Sequence, residues 1–409
     1  MKLLLRLAWR NLWRNRRRTL ITITAVVFAT WLVIVMRGIQ LGTYEHNITF
    51  SLNLFSGYLQ LQHPQYLDNP SLQKGFRFEE DKRRFLDGDA RVRGFAPRVY
   101  ADGLLSYGDN SQGTALFGID PAVEQRVTRL VGQLHEGRMI SSPDAAEIVV
   151  GATMLKNLRA TVGEEIVVLA QGYDGSLGNA KYRIVGTVKT GLGDFDRSAV
   201  FVGLGALQEL LSMPGRVNVV AVALHDLHDV ADVTEDLNAR LDTTTVRARP
   251  WEEVMTELKQ GIDLDNYSGI LYLGILLIIV SFGILNTVLM SVTERFREFG
   301  ILLAMGTPQR FLVRLVLIET VFITLIGIVV GNILGLAVNW YFSVEPIVFT
   351  GEFAGIYEEY GFLPVMRSVV QLSSFVNSSL SVLVISILSA LYPLRRVAKL
   401  EALKGIRYT

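Results

Sequence analysis

The sequence predicts an α-helical membrane protein with four transmembrane helices and a large α+β extracytoplasmic domain inserted between the first and second helix. Three observations predict this class of fold. Apolar stretches of about 20 residues recur, which is the length that crosses a bilayer as a helix. A long segment of ordinary globular composition separates the first two stretches. Basic residues cluster on one side of the predicted membrane, as they do in multi-span membrane proteins.

The apolar stretches differ in how many charged and polar residues they contain. Residues 19–36 and 268–292 carry no charged side chain, which an ordinary soluble helix of that length would not sustain. Residues 315–342 contain a single acid, Glu319, near one end, and residues 368–392 are diluted by serine and asparagine. We therefore predict transmembrane helices at 19–43, 267–292, 311–342 and 368–394.

Charge asymmetry orients these helices, because short cytoplasmic flanks are enriched in Lys and Arg. The segment 1–18 is basic without any acid, and the flank 293–314 and the tail 395–409 are also mainly basic. The loop 343–367 is mainly acidic, with Glu345, Glu352, Glu358 and Glu359 against Arg367. Both termini are therefore predicted to face the cytoplasm, and 44–266 and 343–367 to lie outside.

The segment 1–18 predicts a helix in the cytoplasmic membrane interface. Arg6, Arg10 and Arg14 recur every four residues, and Trp9 and Trp13 stand at one boundary of this basic face. Tryptophan rings prefer the depth of the lipid headgroups. The alternative is that these bases only fix the topology. A cleaved signal peptide is disfavoured, because the apolar run is long and no small-residue cleavage site closes it.

The segment 44–266 predicts one extracytoplasmic domain, because it is long enough to bury a core of its own. Alternating residue patterns predict strands at 57–63, 163–170 and 182–189, bounded by turns rich in Gly, Asp and Asn. A strand, a helix and a further strand are predicted across 217–249. The chain contains no cysteine, so disulfides and cysteine-ligated metals are excluded.

The segment 293–310 joins the second and third predicted transmembrane helices on the cytoplasmic side. It predicts a short charged helix, with Glu294 and Glu298 one turn apart on one face and Arg295 and Arg297 beside them. A rigid charged helix at this place can bind in a groove of a partner and transmit force. A solvated charged loop is the alternative interpretation.

Three residues predict how the chain turns after this short helix. Gly306 is expected to end it, because glycine is the residue that most often follows the last turn of a helix. Thr307 is expected to cap the next helix, and Pro308 to be its first residue. The segment is therefore predicted to form a helix, a tight turn and a second helix.

The third and fourth transmembrane helices carry small and polar residues that predict close helix packing. Gly327, Gly331 and Gly335 recur every fourth residue, a spacing that lets a neighbouring helix approach closely. We expect that neighbour to belong to the same chain, with a second subunit as the alternative. The serines of the fourth helix predict that it faces the bundle. Glu319 is either a functional intramembrane acid or the partner of a nearby base.

Motifs of enzymes and metal sites are missing from the sequence. It contains no P-loop for phosphate, no H-E-x-x-H zinc pair and no G-x-S-x-G nucleophile turn. No catalytic, cofactor-binding or metal-binding residue is therefore predicted. His225 and His228, close to Asp226 and Asp229, are interpreted as solvated turn residues rather than ligands. No pattern of basic and aromatic residues indicates binding of nucleic acid.

Several segments, among them the strand pair VGEEIVVL and YRIVGTVKTGLGDFD, resemble a known family. The segment that starts at Glu294, ERFREFGILLAMGTPQRFL, resembles the ER.REIGILRALGA motif of FtsX-like permeases, the membrane subunits of ABC systems of the MacB and LolC/LolE type. The amino-terminal AWRNLWRNRRRTLIT and the carboxyl-terminal ALYPLRRVAKLEALKG are similar to the same family. The resemblance extends over essentially the whole chain. It implies that the outer domain has a porter part at about 44–115 and 217–266, and a sabre-like part at about 116–216.

The resemblance also implies a function. An ABC transporter of the mechanotransmission type uses ATP hydrolysis on a separate chain to drive movements outside the membrane. This chain would then be a permease subunit and no enzyme, and ATP and Mg would bind to the partner. The residues implied in ATPase coupling are Glu294, Arg295, Arg297, Glu298, Gly300, Leu303, Met305 and Gly306. The residues that the glycine spacing assigns to helix packing are Gly327, Gly331 and Gly335.

The partners implied are two copies of an ABC-type ATPase, a second permease copy or a paralogue, membrane lipid, and a periplasmic carrier or adaptor, with no nucleic acid. The expected location is the bacterial inner membrane, with the large domain in the periplasm. The absence of a fused ATPase favours release or export of lipoproteins over MacB-like efflux. The alternative of a different class is an FtsX-like signalling subunit that activates an outer partner such as a cell-wall hydrolase.

Overall fold

The computed structural model describes residues 2–14, 16–359 and 363–401. Residues 402–409 of the predicted tail lie outside the described residues, as do the side chains of Arg18, Glu358 and Glu359. The chain divides into two compact units. One unit contains residues up to 44, 262–348 and those from 365 onward, and the other contains 45–261 and 349–364.

The helices follow one another as α1 (Lys2–Arg14), α2 (Arg16–Ser51), α3 (Glu80–Asp87), α4 (Pro121–Val127), α5 (Ala152–Leu158), α6 (Gly193–Ser198), α7 (Leu204–Leu210), α8 (Val230–Arg240), α9 (Trp251–Val254), α10 (Thr256–Glu294), α11 (Phe296–Ala304), α12 (Gln309–Val344), α13 (Glu352–Glu359) and α14 (Leu372–Ala398). The strands are β1 (Leu59–Gln62), β2 (Phe76–Arg77), β3 (Val92–Tyr107), β4 (Asn110–Ile119), β5 (Leu134–Gly137), β6 (Glu147–Gly151), β7 (Glu165–Gln171), β8 (Leu177–Val188), β9 (Ala199–Gly203), β10 (Arg216–Val217), β11 (Val219–Leu224), β12 (Arg247–Pro250), β13 (Ile347–Val348) and β14 (Val365–Met366).

Four helices of the described chain are long and apolar enough to cross a membrane. They are Thr19–Ser56, Thr256–Glu294, Gln309–Val344 and Leu372–Ala398. The predicted fold class, with four transmembrane helices and one α+β domain between the first two, is confirmed. The helices α2 and α10 extend beyond the predicted spans 19–43 and 267–292, because polar residues continue the helix past the apolar stretch at the end nearer the α+β domain.

The helical unit has an apolar core at the end where α10, α12 and α14 meet the short helix α11. Its central side chains are fully or almost fully buried, and apolar burial of this kind favours a single packed arrangement. The members include Val292, Phe296, Phe299, Leu312 and Val397. Helix α14 was predicted to face the bundle, and four of its serines are buried: Ser374, Ser378, Ser386 and Ser389.

The α+β unit is built on one large sheet with the strand order β12, β1, β11, β3, β4, β9, β6, β8 and β5, and with β7 paired to β3 and β8. Strand β11 reads VVAVAL and is buried at every position, as expected for a strand covered on both faces. Most neighbours are antiparallel, but β4 with β9 and β6 with β8 are parallel.

The long strand β3 joins the two halves of this sheet. Its first half pairs with β11 as far as Arg98, and its second half pairs with β4 from Val99 onward. The change of partner therefore lies between Arg98 and Val99. A single strand of this length can serve both halves of the sheet because its pleat continues while its hydrogen-bonding neighbours change.

A buried ion pair lies at the point where β3 changes partner. The side chains of Arg98 and Glu124 are fully buried, with Arg98 Nε 3.1 Å from a carboxylate oxygen of Glu124. Arg98 also donates to the carbonyl oxygen of Phe55 and to the hydroxyl of Tyr100. Phe55 belongs to a π-helical turn, Leu52–Ser56, that continues α2 into the core of this unit. Removal of either charge would leave the other buried and unpaired, which is costly.

Candidate functional site

The segment between α10 and α12 forms a helix, a turn and a second helix. Helix α10 ends at Glu294, and Arg295 leaves the helical conformation with φ −102° and ψ 7° before α11 begins. The backbone N–H of Thr307 donates to the carbonyl of Leu302, and Gly306 between them takes φ +91°. A left-handed glycine after the last turn is the usual way to satisfy the final carbonyls of a helix.

The start of α12 differs from the prediction by one residue. Thr307 was expected to cap α12 and Pro308 to be its first residue, but Pro308 occupies the cap position with φ −71° and ψ 141°. The first helical residue is Gln309. The reason is that the N–H of Thr307 closes α11, so Thr307 belongs to the end of the preceding helix.

One face of α11 is fixed in the core of the helical unit. Phe296 and Phe299 are 7% and 0% exposed, and they pack in the same apolar cluster as Leu312 and Val397. Gly300 is buried beside them. Burying two aromatic side chains contributes several kcal/mol, about 1.5–3 for each fully buried ring. The short helix is therefore part of the folded bundle rather than a solvated loop.

The opposite face of α11 is exposed and mixes charged with apolar side chains. We call it the docking face, and it consists of Arg297, Glu298, Ile301, Ala304 and Met305. Ile301 and Met305 are 45% and 70% exposed and are one helical turn apart. An exposed pair of large apolar side chains flanked by charges is typical of a surface that binds another protein.

Arg295 lies between this face and α12, with its Nε 3.5 Å from a carboxylate oxygen of Glu298. Its Nη1 lies 3.0 Å from both carboxylate oxygens of Glu319 on α12, and both side chains are mostly buried. The guanidinium also lies 5.0 Å from the centre of the Phe299 ring. Asn11 on α1 donates to Glu319 at 2.7 Å. Glu319 is therefore the partner of a base, one of the two roles that the sequence left open.

Glu298 contacts the amino-terminal helix. Nη2 of Arg14 lies 2.9 Å from each carboxylate oxygen of Glu298, and both side chains are about half exposed. Desolvation raises the pKa of Glu298, but the hydrogen bond and charge of Arg14, followed by the charge of Arg295, outweigh it and lower the pKa overall. Glu298 is consequently ionised at neutral pH and holds α1 against α11.

The eight residues predicted for coupling thus have different surroundings. Arg297, Glu298 and Met305 lie on the docking face, and Glu294 and Gly306 are exposed at its two ends. Leu303 is partly buried, while Arg295 and Gly300 face inward. Sequence reasoning missed Ile301, Arg14 and Asn11. A helical projection of 296–304 could have found Ile301, because it lies one turn from Arg297 and Met305. No local pattern links Arg14 or Asn11 to residues so distant in the chain.

The glycine stripe of α12 lies against α2. A Cβ atom added at Gly327, Gly331 or Gly335 would come within 2.6, 2.6 and 2.7 Å of side-chain atoms of Val26, Thr30 and Ile34 respectively. Real Cβ atoms do not approach other heavy atoms so closely. The neighbour of the stripe is therefore a helix of the same chain, and these positions admit only glycine without a shift of one helix.

Among the described residues, no group of three or more His, Asp or Glu side chains is arranged to hold a metal ion. His228 is exposed, and its Nδ1 lies 2.7 Å from Asp226 within one short turn. The hydrogen bond and charge of Asp226 raise the pKa of His228. This pair is a surface interaction of the kind that the sequence predicts.

The architecture now defines a class of protein. Four membrane-spanning helices, an α+β domain between the first two and a short helix exposed between the second and third are the parts of a membrane permease. The model of the FtsX-like permease C-terminal domain matches residues 270–402, and that of the MacB-like periplasmic core domain matches residues 19–240. The chain belongs to the FtsX-like permeases with a MacB-like periplasmic core domain.

Individual relatives agree with this assignment. The lipoprotein-releasing system transmembrane protein LolC of Xylella fastidiosa is 25% identical over 78% of this chain and 79% of its own length. LolC of Neisseria meningitidis is 21% identical over 95% of this chain and 94% of its own length. The macrolide export ATP-binding/permease protein MacB of Wolinella succinogenes is 24% identical over 84% of this chain and 55% of its own length. The protein is thus an ABC transporter permease of the LolC and MacB type.

Proposed function

We propose that this permease couples ATP hydrolysis on a separate ATPase chain to movements of its α+β domain, and that these movements release lipoproteins from the membrane. The observation that carries the proposal is the two-sided environment of α11. Phe296 and Phe299 fix one side in the bundle core, and the docking face is exposed on the other. A helix that transmits force needs both, because a loose helix would absorb the displacement of its partner.

Two ion pairs connect α11 to neighbouring helices in addition to its apolar contacts. The Arg295–Glu319 pair attaches the start of α11 to α12, and the Arg14–Glu298 pair attaches its exposed side to α1. The first pair is mostly buried, and loss of one partner would cost about 3–5 kcal/mol. The second pair is half exposed and contributes about 1 kcal/mol or less. The ion pair of Arg295 is therefore the stronger connection of α11 to the bundle. The ion pair of Arg14 is weaker and can break at a lower cost.

The proposed orientation places the docking face in the cytoplasm, where ATP is available. The basic flanks of the four helices support this orientation. Two ATPase copies would bind two permease chains, either identical or paralogous. A switch of a conformational equilibrium from 1:99 to 99:1 requires about 5.5 kcal/mol of differential binding, which an ATP-dependent protein interface of ordinary size can supply.

The proposed substrate class is a lipoprotein, a polypeptide held in the membrane by its acyl chains. The support is the similarity to two relatives named for lipoprotein release, which extends over most of both chains. In this mechanism the α+β domain acts on cargo at the outer face, and the cargo need not cross the bilayer. A periplasmic carrier would accept the released lipoprotein, because exposed acyl chains are insoluble in water.

Export of a small molecule is the second candidate. It is supported by the alignment with a protein named for macrolide export, which covers 84% of this chain. The two candidates differ in what moves, since one predicts transfer of an acylated polypeptide and the other predicts loss of a small hydrophobic compound from the cell. Activation of an outer hydrolase, without any transport, is the third outcome that an experiment must separate.

The test is reconstitution of the permease with its ATPase in proteoliposomes that contain an acylated lipoprotein. We expect ATP, in the presence of a soluble acceptor protein, to move the lipoprotein into the aqueous fraction. Ile301→Lys on the docking face should abolish this release while the permease remains folded. ATP turnover without release of lipoprotein would reject the proposed substrate, and macrolide transport or hydrolase activation in the same vesicles would identify the correct alternative.

A further inference from the structure

The outer side of α1 carries basic side chains that form no ion pair with any residue the structure describes. Lys2, Arg6 and Arg10 are spaced by four residues and therefore form one line along the helix. All three are exposed, and within the described residues no acidic side chain forms an ion pair with them. Two acids contact α1 at other residues, since Glu298 binds Arg14 and Glu319 binds Asn11 as well as Arg295.

Aromatic and apolar side chains flank this basic line. Trp9 and Trp13 are 49% and 40% exposed, and their rings make an edge-to-face contact at 6.0 Å. Leu3 is 65% exposed. The opposite side of the helix is the buried one, with Ala8 and Leu12 at 0% and 4% exposure. Trp9 also contacts Phe322 of α12, so the helix is held against a membrane span.

This arrangement matches the headgroup region of a bilayer. Exposed tryptophans are favoured at that depth, and a helix that comes directly before a membrane span lies close to the interface. Each Lys or Arg near an anionic lipid surface contributes about 1 kcal/mol of attraction. A neutral headgroup offers no net charge for three unpaired bases, whereas an anionic one does.

We propose that the outer side of α1 is a binding site for anionic phospholipid, with Lys2, Arg6 and Arg10 contacting the phosphates and Trp9 and Trp13 lying at the headgroup boundary. Arg14 takes no part, because both oxygens of Glu298 already bind it. Helix α1 would thus bind the anionic lipid and, through Arg14, also contact the exposed side of α11. The binding proposal does not depend on lipoprotein release or on the ATPase.

The test uses the absence of cysteine from the chain, which makes any introduced thiol unique. Leu3→Cys places a fluorescent donor beside the basic line, at a side chain that is mostly exposed. The full-length protein is reconstituted in phosphatidylcholine vesicles. Energy transfer is then compared for equal amounts of phosphatidylglycerol and phosphatidylcholine that carry the same acceptor on an acyl chain. Vesicles with the same lipid in both leaflets make the result independent of orientation.

We expect transfer to phosphatidylglycerol to exceed transfer to phosphatidylcholine and to weaken with added salt, because exposed charges are screened. Replacing Arg6 and Arg10 by glutamine should raise the phosphatidylglycerol content needed for half-maximal transfer by about fivefold or more. Glutamine is a comparable helix former, so α1 should persist. The matched control replaces Lys181 and Arg247, two exposed bases of the α+β unit, by glutamine and should change nothing.

Three results would overturn the proposal. Equal transfer to the two lipids would show that α1 does not select anionic headgroups. A preference that survives loss of Arg6 and Arg10 would place the site elsewhere. An equal loss in the Lys181 and Arg247 control would mean that the total charge of the chain, rather than this helix, attracts the lipid.

Discussion

The guanidinium of Arg295 lies 3.0 Å from both carboxylate oxygens of Glu319. Arg295 is the residue between α10 and α11, so this ion pair attaches the junction of the two helices to α12. The two residues are 13% and 10% exposed. Asn11 completes the surroundings of the carboxylate from α1. Helix α1, helix α12 and the residue between α10 and α11 therefore meet at one carboxylate, directly behind the docking face.

Replacing Arg295 by alanine should strongly destabilise the protein. It leaves Glu319 buried with Asn11 as its remaining partner, and such a loss typically costs about 3–5 kcal/mol. The double change Arg295→Met with Glu319→Leu should be much milder, because no charge is left unpaired. Thermal unfolding in detergent, followed by size-exclusion chromatography, measures both. Equal destabilisation by the single and double changes would show that packing rather than charge holds this junction.

Changing the docking face should weaken ATPase binding without unfolding the permease. Ile301→Lys introduces a charge into a contact that should be desolvated, at an expected cost of about 1–3 kcal/mol, or roughly five- to 150-fold in affinity. Co-purification with the ATPase is the measurement. Leu177→Lys is the matched control, since Leu177 is 72% exposed on the α+β unit. Normal ATPase binding by Ile301→Lys would move the interface away from α11.

A single methyl group should disturb the packing of α12 on α2. Gly331→Ala would place Cβ 2.6 Å from Cβ of Thr30, so one helix must shift, at a cost of about 1–3 kcal/mol. Gly283→Ala in α10 is the control, because nothing lies within 4 Å of its added Cβ. Melting temperatures of the two variants test the expectation. A larger effect at Gly283 would contradict the packing seen here.

Thiol labelling should distinguish the two faces of the membrane. The chain has no cysteine, so Asp109→Cys and Arg310→Cys each provide one exposed site. Asp109, in the turn between β3 and β4, should react with an impermeant reagent in cells whose outer membrane alone is permeabilised. Arg310, at the start of α12, should react only after the inner membrane is opened. Reversed reactivity would invert the proposed orientation.

Acid should remove a specific contact of the α+β unit. The hydrogen bonds from Arg138 lower the pKa of Glu147 from 4.5 to about 2, against the opposing effect of desolvation. A depressed pKa stabilises the fold above the unfolded value, and this stability is lost as pH falls from 4.5 toward 2. Glu147→Gln should therefore be less stable than the parent at neutral pH. Chemical unfolding across this range should show the difference shrinking, and a constant difference would reject the ionic explanation.

The sequence was sufficient where the signal is local and periodic. Apolar length alone predicts the four helices, since a bilayer imposes that length whatever the remainder of the fold does. The spacing of Gly327, Gly331 and Gly335 predicts a close helix contact, because small residues are the only ones that permit it. Gly306 ends α11 as predicted, since its left-handed φ is a property of the turn itself.

Sequence reasoning was insufficient where partners are distant in the chain. Arg295 belongs to the coupling motif by position, yet it faces inward because Glu319 lies on the next helix, 24 residues later. Arg14 meets Glu298 across 284 residues, and no spacing rule connects them. The change of pairing partner at Arg98 and Val99 likewise has no local signal, because one extended sequence serves both halves of β3.

The contact of the glycine stripe with Val26, Thr30 and Ile34 restricts how this chain can diverge. A heavier residue at Gly327 or Gly335 becomes tolerable only when the facing position on α2 loses atoms at the same time. Each single substitution passes through a destabilised intermediate, so drift along these two helices must proceed through paired changes. Among related permeases, α2 and α12 should therefore exchange volume in compensating pairs, and hybrids that take these helices from different parents should assemble poorly.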